Sequence, residues 1–473
     1  MTIFRLGENC WRVDNADTFT VLVDGENYFR AVRKAMQQAR ERIILIGWDF
    51  DTRVKMYDTQ GEPEGPLEIG EYVDWLVRQN PRLHIYILQW NLGALKLFKR
   101  GRTLLKAAQW LSHSRVHVAL DDAHPVGAAQ HEKLIVVDES TAFCGGIDIT
   151  EDRWDTREHR DNEPKRKQPG DHDAGPWHDV AARLTGDVVQ SLGDHAQWRW
   201  KAATGDEPVA ATNRSVDAFD DGAQQLVLRN ARVAVARTRG QTDQFEAVSE
   251  IEALCKDVIA DAKHHLYIES QYFTSKAVAC DLADVLKRTD GPEIVLVTPA
   301  TADGWLENKV MDSTRAHLIE ALRAIDHHNR FHVYHPVTES GTDIYVHAKI
   351  MIADDRCLRV GSSNLANRSM GFDSECDVCI DALASDELSD AQDYIECVLY
   401  DLLSEHLGET RDRIVKVVES LGSLSGTIDR LSEKERGLRR YQVPDLDSVQ
   451  EWLSKNDILD PQSENTDWPN ITI

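Results

Sequence analysis

The sequence predicts an α/β protein made of two duplicated α/β/α lobes with mixed sheets, packed about a pseudo-two-fold axis. Helix-like and strand-like segments alternate along the 473 residues, and the whole order of these segments occurs twice. Such alternation is typical of helices layered on a parallel or mixed sheet. Because a chain of this length exceeds what one hydrophobic core needs, we expect each copy of the repeat to form one lobe.

The repeat can be traced element by element. Residues 29–50 and 250–273 each read as an amphipathic helix followed by an apolar strand. A second helix and strand follow (EYVDWLVRQNP with LHIYILQW, and DLADVLKRTDGP with EIVLVTP), and then a third pair that ends in VHVAL and FHVYHP. Each half closes on a strand that begins with a His-x-Lys pair, HEKLIVVD in the first half and HAKIMIAD in the second.

The predicted domain organisation has four parts: an N-terminal lobe at 1–202, a linker at 203–223, a C-terminal lobe at 224–400 and a helical extension at 401–473. The linker is rich in small, polar and acidic residues, which favours a loop. The extension is charged and helix-like, and it carries no motif from which a role can be predicted.

Composition narrows the class of protein and of substrate. The chain has 54 lysines and arginines against 80 aspartates and glutamates, a net charge of −26, which argues against nucleic acid as the substrate. Eight cysteines are spread through predicted strands and helices, which favours reduced thiols over a disulfide framework. The first ten residues do not read as a secretory signal, and no apolar run reaches the ~18 residues that a membrane span requires. We expect a cytoplasmic protein, with contact to a membrane surface and the oligomeric state left open.

The same trio of residues closes each half of the repeat: His131, Lys133 and Asp138, then His347, Lys349 and Asp354. Residues two apart on a strand point to one face, so each histidine and its lysine should project together. Each aspartate has the opposite parity and is expected to brace a turn or neighbouring backbone. One such pair means little, but two pairs at matched positions predict a catalytic role.

Small and polar residues after each trio are candidates for phosphate binding. Gly145 and Gly361 each follow the aspartate by seven residues, and a glycine there would let the backbone approach a ligand. Ser362 and Asn364 are predicted to donate hydrogen bonds to phosphate oxygens. The first half has Asp148 in place of Asn364, and an anion is a poor ligand for phosphate.

Two imidazoles and two ammonium groups suit the cleavage of a phosphodiester. Lys133 and Lys349 would offset charge on the non-bridging oxygens. One imidazole would attack phosphorus, while the other would protonate the departing oxygen and later take a proton from water or an alcohol. This scheme requires no metal and no cofactor. An attacking histidine also needs an acceptor for its other nitrogen, and Glu375 and Asp179, at comparable places after the two motifs, are the candidates.

These motifs resemble those of the phospholipase D superfamily, which is defined by paired HxKxxxxD motifs. The resemblance rests on HEKLIVVD with GGIDITEDRWD and on HAKIMIAD with GSSNLANRSMGFDSE, and it extends over about residues 4–400. It implies a two-lobed fold with one active site between the lobes, a phosphohistidine intermediate, and both hydrolysis and head-group exchange. By the same resemblance His131 is expected to be the nucleophile and His347 the acid–base, although the two halves are nearly symmetric.

The leading functional prediction is a phospholipase D that acts on glycerophospholipids at a membrane surface, with water or an alcohol as the acceptor. The alternatives are a cardiolipin-synthase-like phosphatidyltransferase, a nuclease or other non-lipid phosphodiesterase, and a non-catalytic lipid-binding scaffold. A scaffold is expected to have lost a histidine or lysine of the motifs, and all four are present. Residues 96–106, KLFKRGRTLLK, are basic and apolar, which is typical either of a patch on anionic lipid or of an ordinary amphipathic helix.

Overall fold

A computed structural model describes residues 1–58, 61, 64–91, 101–170, 172–212, 226–302, 305–432, 435–444 and 460. The elements of the first half, in chain order, are β1 (Arg12–Val23), α1 (Asp24–Gln38), β2 (Arg42–Gly47), α2 (Ile69–Gln79), β3 (His84–Trp90), α3 (Gly101–Trp110), β4 (Val116–Asp121), β5 (Leu134–Val137), β6 (Thr141–Gly145), β7 (Lys167–Gln168), β8 (His172–Asp173), β9 (Trp177–His178), β10 (Val180–Thr185) and α4 (Val188–Thr204).

The second half repeats this order and adds elements at its end. They are β11 (Leu228–Arg239), β12 (Val248–Ser249), α5 (Glu250–Asp261), β13 (His265–Ser270), α6 (Lys276–Leu286), β14 (Glu293–Val297), α7 (Trp305–Ile325), β15 (Phe331–Val337), β16 (Tyr345–Val346), β17 (Lys349–Ala353), β18 (Cys357–Gly361), α8 (Asn367–Gly371), β19 (Glu375–Asp381), α9 (Leu388–Leu407), α10 (Arg411–Leu421), α11 (Leu424–Leu431) and β20 (Gly437–Arg440).

Within the described residues, sixteen strands form a single mixed sheet in the order β20-β15-β14-β13-β17-β18-β19-β11-β1-β10-β6-β5-β2-β3-β4, with β12 beside β11. The order is symmetric about the antiparallel pair β1–β11, because each half continues outward through the same six strands. Three strands in each half run parallel, β2-β3-β4 and β13-β14-β15. The predicted duplicated α/β class with mixed sheets is therefore confirmed, and the structure adds that the two half-sheets are joined edge to edge.

Side-chain alternation along the strands builds three apolar layers. On β5, Val136 belongs to an inner core that both halves share with α4 and α9, whereas Ile135 faces an outer core under α1, α2 and α3. On β17, Ile350 faces the same inner core and Met351 faces an outer core under α5, α6 and α7. This period of two gives five layers, with helices outside each half-sheet and between them.

The predicted domain boundary at residue 401 does not match the structure. Residue 401 lies inside α9, which ends at Gly408, a C-cap with φ 60° in the left-handed region. The helices that follow pack against α9, and β20 adds to the sheet beside β15. The segment up to residue 440 is therefore part of the second half, where the sequence predicted a separate extension. Of the predicted linker, residues 213–223 lie outside the described part of the chain.

Among the described residues, no helix combines the length and the apolar character that are needed to span a bilayer. Of the basic segment at 96–106, residues 96–100 lie outside the described residues, and the rest lies in the first part of α3.

Candidate active site

The two His-x-Lys pairs lie at the entrances of equivalent strands, β5 and β17, at the junction of the two halves. Before each histidine, the chain pairs with a segment of the opposite half. Gln130 bridges to Ser374, and the backbone N–H of His131 donates to the carbonyl of Ser374 at 3.0 Å. In the equivalent place β16 pairs in parallel with β9, and the N–H of His347 donates to the carbonyl of His178 at 2.8 Å.

Through this pairing, each half supplies the carboxylate that contacts the histidine of the other half. The residue after Ser374 is Glu375, whose two oxygens lie 2.9 and 3.1 Å from Nδ1 of His131. The residue after His178 is Asp179, whose Oδ2 lies 2.7 Å from Nδ1 of His347. Each histidine motif is therefore completed by a carboxylate of the other half.

The hydroxyls of Ser362 and Ser369 hold the carboxylate of Glu375 in place. Ser362 Oγ donates to Oε2 at 2.5 Å and Ser369 Oγ donates to Oε1 at 2.7 Å. Ser362 was predicted to donate to phosphate, but its single hydroxyl hydrogen is used on Glu375. Ser369 was missed by the sequence reasoning, although it lies within the GSSNLANRSMG stretch that carries the second motif.

Burial and the lysines of both half-sites lower the pKa of each motif histidine. Burial, and then Lys133 and Lys349 from the two halves, lower the pKa of His131 well below its usual value. Burial also lowers the pKa of His347 well below its usual value, followed by Lys349, Arg153 and Lys133. Both imidazoles therefore favour the neutral form, which a nucleophile needs, at neutral pH.

The buried carboxylates and one lysine are also shifted toward their neutral forms. Burial raises the pKa of Glu375 to about 8 and that of Asp179 to about 7, against the opposing effects of Lys133 and Lys349 respectively. Burial lowers the pKa of Lys349 to about 7. A bound phosphate anion would favour the charged form of Lys349 and so raise its pKa.

Each lysine folds back on the carbonyl of its own histidine. Lys133 Nζ donates to the carbonyl of His131 at 2.6 Å and lies 3.4 Å from Asp148 Oδ2. Lys349 Nζ donates to the carbonyl of His347 and lies 3.1 Å from its Nδ1. Asp148 therefore balances the charge of Lys133.

Asn364, which occupies the position equivalent to Asp148, is nearly buried. Its Oδ1 has no hydrogen-bond partner in the described part of the chain.

Gly145 and Gly361 are not explained by a ligand, which corrects the prediction of substrate-binding glycines. A Cβ on Gly145 would lie 2.4 Å from Cα of Ala181 in the neighbouring strand β10. A Cβ on Gly361 would lie 1.8 Å from Oδ1 of Asp377 in β19. The space beside each glycine is filled by the protein itself, so strand packing requires the glycine.

Gly146, which the sequence analysis did not single out, lies next to the site. A Cβ there would lie 2.1 Å from Oδ1 of Asp179 and 3.2 Å from the carbonyl of His347. We expect Gly146→Ala to displace Asp179 and to lower kcat about a hundredfold, because sub-ångström placement matters at such a pair. Gly175→Ala, where nothing lies within 4 Å of the added methyl, should change kcat less than about twofold. Equal rates for the two variants would contradict this assignment.

The motif aspartates bind backbone N–H groups and do not contact the reacting groups. Asp138 accepts hydrogen bonds from the backbone N–H groups of residues 40, 41 and 42 at 2.8–2.9 Å. Asp354 accepts from those of residues 263, 264 and 265 over the same range of distances. Both carboxylates thereby fix the entry of the strand that neighbours their own, β2 and β13.

The surroundings of the two histidines differ. The side chain of His131 is 17% exposed and that of His347 is 6% exposed. The ring of Trp177 lies 5.2 Å from that of His347, and Arg153 stacks over Trp177 at 4.2 Å. His131 is the more open of the two histidines to an incoming substrate.

Comparisons with known proteins show what the chain is similar to. A family model described as "Cardiolipin synthase, PLD-like domain" matches residues 255–399, which contain the second motif and Glu375. Phospholipase D A of Dictyostelium discoideum is 22% identical, over 82% of this chain and 35% of its own length. Phospholipase D1 of Schizosaccharomyces pombe is 24% identical (83% and 35%), and phospholipase D2 of Bos taurus is 22% identical (76% and 49%). This chain is therefore similar to members of the phospholipase D superfamily.

One solved structure is similar to this chain as well. The phosphatidylserine synthase of Haemophilus influenzae superposes with a TM-score of 0.52 at 11% identity, covering 88% of this chain and 94% of that one. This likeness shows a shared fold. The chain spans about a third to a half of the length of the three phospholipases D above.

Among the described residues, two groups of buried side chains have donor atoms close enough together to hold a metal ion. One consists of Asp24, His159, His178 and Glu405, and the other of His178, Glu269 and His406. They share His178, the residue before Asp179. The two His-x-Lys pairs are not part of either group.

Proposed function

We propose that the protein is a phospholipase D that hydrolyses glycerophospholipids to phosphatidic acid and a free head group. The observation that carries this proposal is the exchange of carboxylates, by which His131–Glu375 and His347–Asp179 form one composite site with two lysines. The resemblance of most of the chain to proteins named phospholipase D supports a phospholipid as the substrate. We propose that it acts at a membrane surface, where such a substrate resides.

In the first step, Nε2 of His131 attacks phosphorus while Glu375 accepts the hydrogen bond from Nδ1. The bond from phosphorus to the head-group oxygen breaks, and His347, which takes up a proton when the phosphate anion binds beside it, gives that proton to the oxygen. Lys133 and Lys349 offset the charge on the non-bridging oxygens. The products of this step are a free head-group alcohol and a phosphatidyl group bound to His131.

In the second step, the now neutral His347 takes a proton from water, and the water oxygen attacks phosphorus. The P–N bond to His131 breaks, and phosphatidic acid leaves. A primary alcohol in place of water gives a phosphatidyl alcohol by the same route, so transphosphatidylation accompanies hydrolysis. Both steps balance with the four motif side chains alone.

A cardiolipin-synthase-like phosphatidyltransferase is the second candidate, since the matching family model carries that description. Such an enzyme would use the same phosphohistidine and differ only in its acceptor, the hydroxyl of a second lipid. A nuclease is disfavoured by the net charge of −26, which repels polyanions.

The test uses the purified chain with phosphatidylcholine and phosphatidylethanolamine vesicles, EDTA and 1-butanol. We expect phosphatidic acid and phosphatidylbutanol, and neither with His131→Ala. Vesicles of phosphatidylglycerol without butanol form a second arm, in which cardiolipin as the main product would favour the transferase. Cleavage of bis-p-nitrophenyl phosphate without any lipid product would show that the half-sites work and that the lipid assignment is wrong.

A further inference from the structure

A buried cluster of charged side chains lies directly behind His347. It joins the start of α1, the loop after β6, the strands β9 and β13 and the last turn of α9. Its central members are Asp24, His159, His178 and Glu405, all of them buried. The reaction proposed above uses none of them.

Both nitrogens of two imidazoles face carboxylates. Oε1 of Glu405 lies 2.7 Å from Nδ1 of His178 and 3.1 Å from Nε2 of His159. The other nitrogen of His178 lies 2.8 Å from Glu269, and that of His159 lies 2.9 Å from Asp155. A ring that donates from both nitrogens is an imidazolium, so the geometry assigns a positive charge to both histidines.

Cations and carboxylates are nearly equal in number around these rings. Two arginines reach the cluster, Arg157 at 2.5 Å from Glu405 and Arg166 at 3.0 Å from Asp155. The four cations are His159, His178, Arg157 and Arg166, and the carboxylates that contact them are Asp24, Asp155, Glu269, Asp401 and Glu405. Burial, and then the charge of Glu405, raise the pKa of Asp24. Further groups on its edge are Tyr267 and His406, both of which hydrogen-bond to Glu269.

The pKa shifts agree with this assignment. Burial opposes charge on His159, but Asp24, Asp155 and Glu405 outweigh it and raise the pKa of that ring to about 9. Glu269 and Glu405 likewise overcome burial and raise the pKa of His178 well above its usual value.

The cluster is connected to the His347 half-site through the backbone of His178 and Asp179. The carbonyl of His178 accepts from the N–H of His347, and the next residue, Asp179, holds the ring of His347. Asp24 holds the backbone of Asp179, since the N–H of Asp24 donates to the carbonyl of Asp179 at 2.8 Å. Oδ1 of Asp24 also accepts from the N–H of Asp179 at 3.2 Å. Both backbone hydrogen-bonding groups of Asp179 are therefore bonded to Asp24, a member of the cluster.

The other half-site is supported differently, because two neutral serine hydroxyls hold Glu375. We propose that the buried ionic cluster is a positioning network for the acid–base half-site, which keeps Asp179 and His347 aligned with the leaving oxygen. This inference rests on the proposed function, in which His347 protonates that oxygen. Dipoles and charges fixed before the reaction need no rearrangement when His347 changes its charge twice per turnover.

The same four donor groups could hold a metal ion in place of two protons, with the same total charge. Glu405 Oε1 is shared by two rings, at separations of 2.7 and 3.1 Å, which is typical of charge-assisted hydrogen bonds. Ligands around tetrahedral zinc are about 3.3 Å apart, given zinc–ligand bonds of roughly 2.0–2.1 Å. Asp24 lies 3.2 Å from Nδ1 of His178 and 3.4 Å from Nε2 of His159, separations that would also fit a metal ion, so the metal content of the purified protein decides between the two.

The test is a leaving-group comparison with Glu405→Gln. Dioctanoyl phosphatidylcholine has a poor leaving group that needs an acid, whereas dioctanoyl phosphatidyl-p-nitrophenol has a good one that does not. With enzyme in excess, the first turnover reports the first chemical step. We expect choline release to slow about tenfold to a hundredfold and p-nitrophenol release to stay within about threefold of wild type. Glu269→Gln, on the other nitrogen of His178, should give the same pattern and serves if Glu405→Gln does not fold.

The matched control is Asp121→Asn, since Asp121 is a buried carboxylate paired with Arg199 in the first half, outside both motifs. It should leave the ratio of the two rates unchanged. Equal slowing of both substrates by Glu405→Gln and Glu269→Gln would overturn the inference, as would one equivalent of divalent metal in the wild-type protein. If wild type releases neither product, the proposed function itself fails.

Discussion

Replacing His131 with alanine is expected to lower kcat by at least about 10⁴-fold and to abolish any covalent phosphatidyl–enzyme. His131 is the more exposed of the two histidines, its carboxylate is fixed by two serines, and its neutral ring is ready to attack. Phosphatidylcholine labelled with ³²P, followed by an alkaline quench that preserves phosphohistidine, measures the adduct.

His347→Ala separates the two roles. Without an acid the enzyme should fail on phosphatidylcholine, yet it should still form the adduct from phosphatidyl-p-nitrophenol, whose leaving group needs no proton. The adduct should then accumulate, because no base remains to activate water. Label that appears in His131→Ala and is absent from His347→Ala would reverse the assignment of nucleophile and acid–base.

Replacing Lys349 with methionine is expected to lower kcat/KM about 10²- to 10³-fold, because a buried cation that faces developing negative charge is removed. In the wild type, burial lowers the pKa of Lys349 to about 7. A lysine is charged below its pKa, so kcat/KM of the free enzyme should fall as the pH rises through about 7. Bound phosphate raises that pKa, and the alkaline limb of kcat should therefore lie at a higher pH.

The measurement is a pair of pH profiles, for kcat/KM and for kcat, on a short-chain phosphatidylcholine. Lys349→Met should lose the alkaline limb near pH 7 along with the rate. Lys263→Met, a change at an exposed lysine before β13, should keep both. A wild-type limb that persists in Lys349→Met would assign the titration to another group.

Much of the architecture could be predicted from the sequence because the internal repeat determines the order of helices and strands. The order of helices and strands around HEKLIVVD and HAKIMIAD gives the duplicated mixed sheet directly. The sequence could not show that the halves join through β1 and β11, since edge pairing depends on strands without a motif. It also placed a boundary at residue 401, inside α9, because the repeat ends before the helix does.

Part of the candidate site could also be predicted from the repeat. Matched positions pointed to Glu375 and Asp179, and the structure places both against a histidine ring. Their exchange between halves depends on two short contacts, β9 with β16 and Gln130 with Ser374, which leave no periodic signal. Gly361 was misread as a ligand approach because a sequence does not reveal that Asp377 fills the space beside it.

The exchanged carboxylates have a consequence for how such a site can specialise. A symmetric pair of identical subunits would have to use the same residues on both sides, so any substitution would alter nucleophile and acid alike. Here one covalent chain carries both copies, and each can change alone. Two serines now brace one histidine's partner and a set of buried ions braces the other's. Joining the two copies in one chain thus permits the two half-sites to take different roles although they contain the same kinds of side chain.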